Sequence, residues 1–155
     1  GRPARLSLAE CQVGLSQAKT GWPTSAESIE YDEKLFEIAD AWNLDISVVT
    51  ATEPTDRVVE GITFYTTSFT VAVTGKPIET AFKEEKEYRD YLYKTVHDIL
   101  AFIHTVVNDK AFASAGIELV DMQVPEPLTK EELDTQGLGV KKPQATVTIT
   151  IYIYK

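Results

Sequence analysis

Residues 145–154 read ATVTITIYIY, and this stretch decides the fold because its alternation contains no error. Successive side chains of a β-strand point to opposite faces of the sheet. One face would therefore carry Val147, Ile149, Ile151 and Ile153, and the other Thr146, Thr148, Thr150, Tyr152 and Tyr154. At about 3.3 Å per residue the strand would reach roughly 33 Å, longer than most strands. We expect a long strand with one buried face.

Three further segments have the β-branched and aromatic content of strands, and they span 46–52, 58–74 and 117–124. In 58–74 the apolar positions change parity, from Ile62 and Phe64 to Phe69, Val71 and Val73. A parity change inside one strand is what an inserted residue produces, so we predict a β-bulge near 66–68. The alternation of 117–124 slips in the same way at Leu119-Val120.

Two segments have helical periodicity. The first spans 26–42, after the capping residue Ser25, and the second spans 77–108, after Pro77. At 1.5 Å per residue the second would be roughly 45 Å long, and we expect its apolar C-terminal half to be buried. Its predicted apolar stripe comprises Phe82, Tyr88, Tyr91, Leu92, Val96, Ile99, Leu100, Ile103 and Val107.

These elements predict an α+β fold. A mixed or antiparallel sheet of long strands would pack against one long helix and one shorter N-terminal helix. The chain of 155 residues has the size of one domain, which we place at 25–155. Residues 1–24 have weak periodicity and are predicted to form an N-terminal arm. Residues 125–143, which contain Pro125, Pro127 and Pro143, are predicted to form a long loop, and such loops are often functional.

Composition restricts the partners. The net charge is −9, and Arg2, Arg5, Lys19 and Glu10 give residues 1–24 a charge of +2, which leaves −11 on residues 25–155. An acidic domain repels phosphate, so we expect no sequence-independent binding of nucleic acid. No apolar run reaches the ~18 residues of a membrane span, so we expect no membrane partner. Cys11 is the only cysteine, which fits a protein made in a reducing cytosol without an internal disulfide.

No pattern in the sequence indicates catalysis, a metal or a cofactor. His97 and His104 are separated by about 10 Å along a helix, too far to share one zinc ion. The segment that begins at Gly137 lacks the third glycine of a dinucleotide fingerprint. Cys11 lies in the least patterned part of the chain, and the carboxylates at 84–87 alternate with lysines as on a solvated helix face. We therefore expect a protein that is not an enzyme.

The length of the strands points to assembly. One pair of helices cannot cover so much sheet, so the excess would project as a hairpin, curl toward a barrel or pair with another copy. The final strand carries no charge before Lys155, which favours pairing. We expect a homo-oligomer, and the alternative is a bent monomeric sheet with both helices on one face.

The order of elements resembles the tail terminator proteins of long-tailed bacteriophages. The resemblance covers about residues 25–155. It is carried by LDISVVTATEP from Leu44, by ITFYTTSFTVAVTG from Ile62, by the helix after Pro77 and by the closing strand from Val147. Residues 1–24 and the 125–143 loop do not belong to that pattern.

The resemblance implies a hexameric ring in the tail or neck of a virion, assembled in the host cytoplasm. Such a ring would cap the tail tube, end its polymerisation and contact the head-side connector, while DNA passes through the lumen without specific binding. The turn at 53–57 and the loop at 126–142 would contact the tube or the neck, so deletion of residues 129–139 should abolish capping. The candidate interface residues are Glu53, Asp56, Arg57, Lys130, Glu131, Glu132, Asp134, Tyr152 and Tyr154.

Other functions fit the same elements. The chain could be another phage neck or baseplate protein. It could also be a dimeric α+β barrel enzyme or small-molecule binder, which would place a perturbed His97 or a glutamate in a water-excluded pocket between sheet and helix.

Overall fold

The structure is a computed structural model that describes residues 25–154. The predicted arm at 1–24 lies outside the described residues. The fold is α+β, as predicted, with an antiparallel five-stranded sheet. The main elements are α1 (Ser25–Ala41), β1 (Leu44–Ala51), β2 (Thr55–Val59), β3 (Ile62–Gly75), α2 (Glu85–Asn108), β4 (Ala115–Gln123), α3 (Lys130–Gln136) and β5 (Gln144–Tyr154).

Strand β5 lies inside the sheet. The strand order is β1-β3-β5-β4, and β2 pairs with the first residues of β3 on the same side as β1. The alternation of β5 is as predicted, because Val147, Ile149 and Ile151 are buried while the threonines between them are half-buried. Since β3 and β4 pair with its two sides, β5 has no free edge with which to pair with another copy.

The predicted strand 58–74 is wrong in its extent, because a hairpin divides it. Strands β2 and β3 are joined by Glu60 and Gly61, whose φ angles are 52° and 80°. Two consecutive positive φ angles are typical of the two-residue type I′ turn, whose twist matches that of paired strands. Of the three arrangements considered for the excess strand, the structure contains the hairpin.

Of the two irregularities predicted in the strands, the slip in β4 is confirmed and the bulge in β3 is wrong. The slip at Leu119-Val120 is confirmed, since the register of β4 with β5 shifts between Leu119 and Asp121. The bulge predicted near 66–68 is wrong, because β3 pairs with β5 without interruption from Phe64 to Thr74. The nearby register shift lies in β1, between Val48 and Thr50. The parity changes in β3 because Phe64 faces the side of the sheet opposite to Phe69.

Helix α2 begins at Glu85 rather than at Pro77. Glu84 and Glu87 form a capping box in which each side chain accepts from the backbone N–H of the other. The 24 residues of the helix span about 36 Å. Burial is not confined to its C-terminal half, since the buried residues are Tyr88, Leu92, Thr95, Asp98, Ile99, Phe102 and Val106.

The main core lies between the sheet and the two long helices. It contains Phe69, Val71 and Val73 from β3, the buried face of β5 and Phe102 from α2. The indole Nε1 of Trp42 donates to Thr105 Oγ1 at 2.9 Å and joins α1 to α2. The core therefore fixes one face of the sheet against the helices.

A second core cluster holds the segment that was predicted to be a loop. Residues 125–143 contain α3 and a short 3-10 helix at Gly137–Gly139, so the loop prediction is wrong there. Leu133 of α3 packs with Tyr88 and Leu92 of α2 and with Val140. Thr129 and Glu132 form a capping box at the start of α3.

Candidate interaction surfaces

The face of the sheet opposite to the long helices is polar over most of its length. Paired hydroxyls cross it from β3 to β5, with Ser68 Oγ 3.0 Å from Thr150 Oγ1 and Thr70 Oγ1 3.3 Å from Thr148 Oγ1. Toward the hairpin the face becomes aromatic, because Phe64 packs edge-on against Tyr152 with ring centroids 6.2 Å apart. The polar character of this face therefore ends where the hairpin begins.

The hairpin extends beyond the core and exposes apolar side chains. No residue from 51 to 65 is buried, and Val58 is 66% exposed. Val59 and Ile62, which are directly paired next to the turn, are exposed as well. We define the hairpin patch as Val59, Ile62 and Phe64, which share one face of the hairpin, whereas Val58 points to the other face. Exposed apolar groups that cluster in this way mark surfaces that bind partners.

A second apolar surface runs along one side of α2. We define the α2 flank as Tyr93, Val96, Leu100, Ile103 and Val107. The steps between these residues are three, four, three and four, the spacing that forms a seam between packed helices. Leu100 is 50% exposed and Tyr93 and Val107 are more exposed, whereas Val96 and Ile103 are half-buried. Leu100 and Val107 were predicted as part of the buried stripe, and their exposure corrects that prediction.

Arg89 lies one turn before Tyr93 and extends the α2 flank. Its side chain is exposed and forms no ion pair with any residue in the described part of the chain. The opposite side of α2 faces α1, where Trp42 contacts Thr105 and the His97 ring. The flank is therefore the side of α2 that α1 does not use.

The predicted interface residues at 53–57 lie next to the hairpin patch. Glu53 precedes β2, while Asp56 and Arg57 belong to it, and all are exposed. Arg57 is paired with Phe64, and Tyr152 is paired with Thr66. Tyr154 lies opposite Phe64 in the register. The structure thus brings these predicted residues together at one end of the sheet.

The predicted interface residues Lys130, Glu131, Glu132 and Asp134 lie on α3 at the other end of the sheet. All are exposed, but Glu132 caps its helix by accepting from Thr129 N at 2.9 Å. Lys130 is tied to the start of α2, since its backbone N–H donates to Glu85 Oε2 at 3.3 Å. Its Nζ also donates to the carbonyl of Lys83, just before the helix, at 3.2 Å. Strand β3 ends here at Gly75, whose carbonyl accepts a hydrogen bond from Lys142 Nζ in the segment that follows α3. At about 3.3 Å per residue, β3 separates the two groups by roughly 40 Å.

A small cleft lies between the end of β3 and the first half of α2. Its volume is about 250 Å³, and its lining includes Gly75, Tyr91 and Asp98. Lys94 Nζ donates to the buried Asp98 carboxylate at 2.6 Å, and burial raises the pKa of Tyr91. His97 is exposed beside this cleft, with its Nδ1 3.3 Å from Asp98 Oδ1. The histidine is thus at the surface rather than in a water-excluded pocket.

Residues 25–154 contain no group of three or more side chains arranged to hold a metal ion. In the same range, no helix has the length and apolar content that crossing a membrane requires. The interaction surfaces described above are the hairpin patch, the α2 flank and the α3 surface.

Tyr88 links α2 to the segment before β5, and its replacement has a pH-dependent consequence. Its hydroxyl donates to the carbonyl of Lys141 at 2.7 Å, and burial raises its pKa. The folded state therefore favours the neutral phenol. The stability that the neutral phenol contributes is fully present below about pH 10, the pKa of tyrosine in the unfolded chain. It is lost as the pH rises through the higher pKa of Tyr88 in the folded protein. Tyr88→Phe should cost about 1 kcal/mol at pH 7 and reduce the loss of stability above pH 10.

Urea unfolding between pH 7 and pH 11 checks this prediction. The control is Tyr93→Phe, because the Tyr93 side chain is exposed. Equal effects of the two substitutions on the free energy of unfolding would contradict the assignment to Tyr88.

The chain was compared with protein families, curated proteins and solved structures, and none of them matches it.

Proposed function

We propose that this chain is a structural protein of a phage tail. Identical subunits form a hexameric ring that caps the tail tube, ends its polymerisation and joins the tail to the head-side neck. One observation carries the proposal: the predicted interface groups at 53–57 and on α3 lie at opposite ends of one long sheet. A subunit built in this way can contact one partner at each end.

The order of elements supports the tail terminator assignment. A helix, a strand, a long strand, a long helix and two strands follow one another, and the sheet is antiparallel throughout. The hairpin at Glu60-Gly61 and the helix α3 are additions to that order. Helix α3 lies in the 126–142 segment that the resemblance assigns to contacts with the tube or the neck, and the hairpin turn follows the assigned turn at 53–57.

The sheet itself supports assembly. Its helix-free face ends in the Phe64 and Tyr152 pair and in the hairpin patch, where a monomer leaves Val59 and Ile62 exposed to water. Burial of apolar area yields about 25 cal/mol per Å², which provides a drive for subunits to associate. The charge of −11 on residues 25–155 disfavours retention of DNA in a central lumen.

The mass of the protein in solution tests the proposal. Light scattering should give six times the 17.2 kDa of one chain, and negative-stain images should contain rings. Addition of the rings to polymerising tube protein of the same tail should shorten the tubes, and the rings should be seen at one end. A monomeric mass, or tubes of unchanged length, would reject the proposal.

A second candidate function rests on the cleft near Asp98. A cavity of about 250 Å³ beside a buried carboxylate and a buried phenol has the composition of a small-molecule site, although it is small for one. This function predicts a dimer without rings. It also predicts that Asp98→Asn abolishes binding of the ligand while the mass of the assembly is unchanged.

A further inference from the structure

A closed ring requires two different surfaces on each subunit. In a heterologous contact one patch of a subunit meets another patch of its neighbour, whereas a two-fold contact uses the same patch twice and stops at a dimer. The hairpin patch and the α2 flank are two apolar surfaces on separate elements. If the ring proposed above is correct, these surfaces are the candidates for its repeated contact.

The two surfaces are similar in length. Strands β2 and β3 pair at five positions, from Thr55 with Thr66 to Val59 with Ile62, which corresponds to about 17 Å. The α2 flank runs from Tyr93 to Val107, about 21 Å at 1.5 Å per residue. The first is a narrow ribbon and the second is the side of a single helix. A ribbon can lie along such a helix over its whole length.

The charges at their ends are opposite. Glu60 occupies the turn at the tip of the hairpin, and Arg89 heads the α2 flank. Both side chains are exposed, and neither forms an ion pair with any residue between 25 and 154. More broadly, residues 53–62 carry three carboxylates and one arginine, for a charge of −2. Opposite charges at a contact fix its orientation and its register.

We propose that the hairpin patch of one subunit docks on the α2 flank of the next, with Glu60 against Arg89. This orientation places Val59 and Ile62 over the first turns of the flank, near Tyr93. Two residues further along β3, Phe64 then lies toward Leu100. The occupant of the α2 flank is thus a second copy of this chain, and the contact repeats around the ring.

Reversal of charge tests the pairing. Glu60→Arg and Arg89→Glu should each raise the concentration at which the ring dissociates by about tenfold, because each places like charges together. The double variant should restore the ring to within about threefold of the unchanged protein. Analytical ultracentrifugation measures the dissociation, and circular dichroism checks that each variant is folded.

Matched controls separate pairing from net charge. Glu33→Arg and Lys110→Glu change the charge of exposed residues by the same amount outside the proposed contact. Both should leave the dissociation concentration unchanged. Failure of the double variant to recover, with both single variants folded, would overturn the proposed pairing.

Cross-linking tests the two surfaces without reversing charge. In a Cys11→Ser background, a chain that carries both Val59→Cys and Tyr93→Cys should give a ladder of products up to six subunits with a short bis-maleimide. Each single cysteine should give no ladder. Efficient dimers from Leu100→Cys alone would indicate a two-fold pairing of α2 helices and would overturn the proposal.

The outcomes distinguish this inference from the proposed ring. Rings that form but neither cross-link through Val59 and Tyr93 nor respond to charge reversal would reject the hairpin contact and leave the ring intact. A monomeric unchanged protein would reject both the ring and the contact.

Discussion

Replacement of Phe102 by alanine is expected to lower the free energy of unfolding by about 3–5 kcal/mol. The Phe102 side chain is 0% exposed and lies in the main core between α2 and the sheet. Its removal loses the free energy gained by burying an aromatic ring. It also leaves a cavity that the close-packed neighbours fill only in part. A loss of this size is a large fraction of the 5–15 kcal/mol that typically holds a domain folded.

Leu100 provides the matched control for Phe102. It lies two residues away on the same helix but is 50% exposed on the α2 flank. Leu100→Ala should therefore cost no more than about 1 kcal/mol in the monomer. Urea unfolding of both variants at one pH, at a protein concentration below that at which the ring dissociates, measures the difference. A cost for Leu100→Ala as large as that of Phe102→Ala would show that the flank is buried.

Replacement of Leu133 by alanine is expected to lower the free energy of unfolding by about 2–4 kcal/mol. Leu133 is 1% exposed and anchors α3 against Tyr88 and Leu92 in the second core cluster. Leu138, in the 3-10 helix that follows, is 55% exposed. Leu138→Ala should change stability by less than about 0.5 kcal/mol, as surface substitutions usually do.

This pair of variants also changes how α3 can be tested as an interface. Deletion of 129–139, which the sequence suggested, would remove Leu133 and so damage the core as well as the surface. Substitutions at the exposed Glu131 and Asp134 leave that packing in place. Melting temperatures equal to that of the unchanged protein would confirm that such variants report on binding alone.

The strands were well predicted where periodicity alone determines burial. The residues from 145 to 154 alternate without error, and the structure places them in the centre of the sheet. The slip at Leu119-Val120 was visible for the same reason, since one extra residue moves the following side chains to the other face. In β3 the same reasoning failed, because Phe64 is apolar but packs against Tyr152 on the helix-free face.

The hairpin was missed although the sequence contains a sign of it. Glu60 and Gly61 separate the apolar pair Val58-Val59 from Ile62, and a glycine in a two-residue gap is typical of a hairpin turn. Glutamate rarely adopts a positive φ angle, so Glu60 at the first turn position did not indicate a type I′ turn. The capping box of α3 was visible as well, since Thr129 is followed three residues later by Glu132.

The choice between two faces of α2 could not be made from the sequence. The second half of the helix is apolar nearly all round, so Ile99, Phe102 and Val106 form one stripe and Leu100, Ile103 and Val107 another. Both stripes have the spacing of a buried helix face, so periodicity does not tell which of them is buried. The position of α1, fixed by the bond from Trp42 to Thr105, decides which of them meets the sheet. Contacts between distant residues thus determine the candidate site.

The central position of β5 makes the order of folding events predictable. The hairpin of β2 and β3 joins neighbouring residues and can close in microseconds. Pairing of β3 with β5 joins residues such as Ser68 and Thr150, which are 82 positions apart. The chain must close that long loop before the contact stabilises anything, so this step sets a slow rate. Until it occurs, β3 and β4 each lack the strand that lies between them in the native sheet.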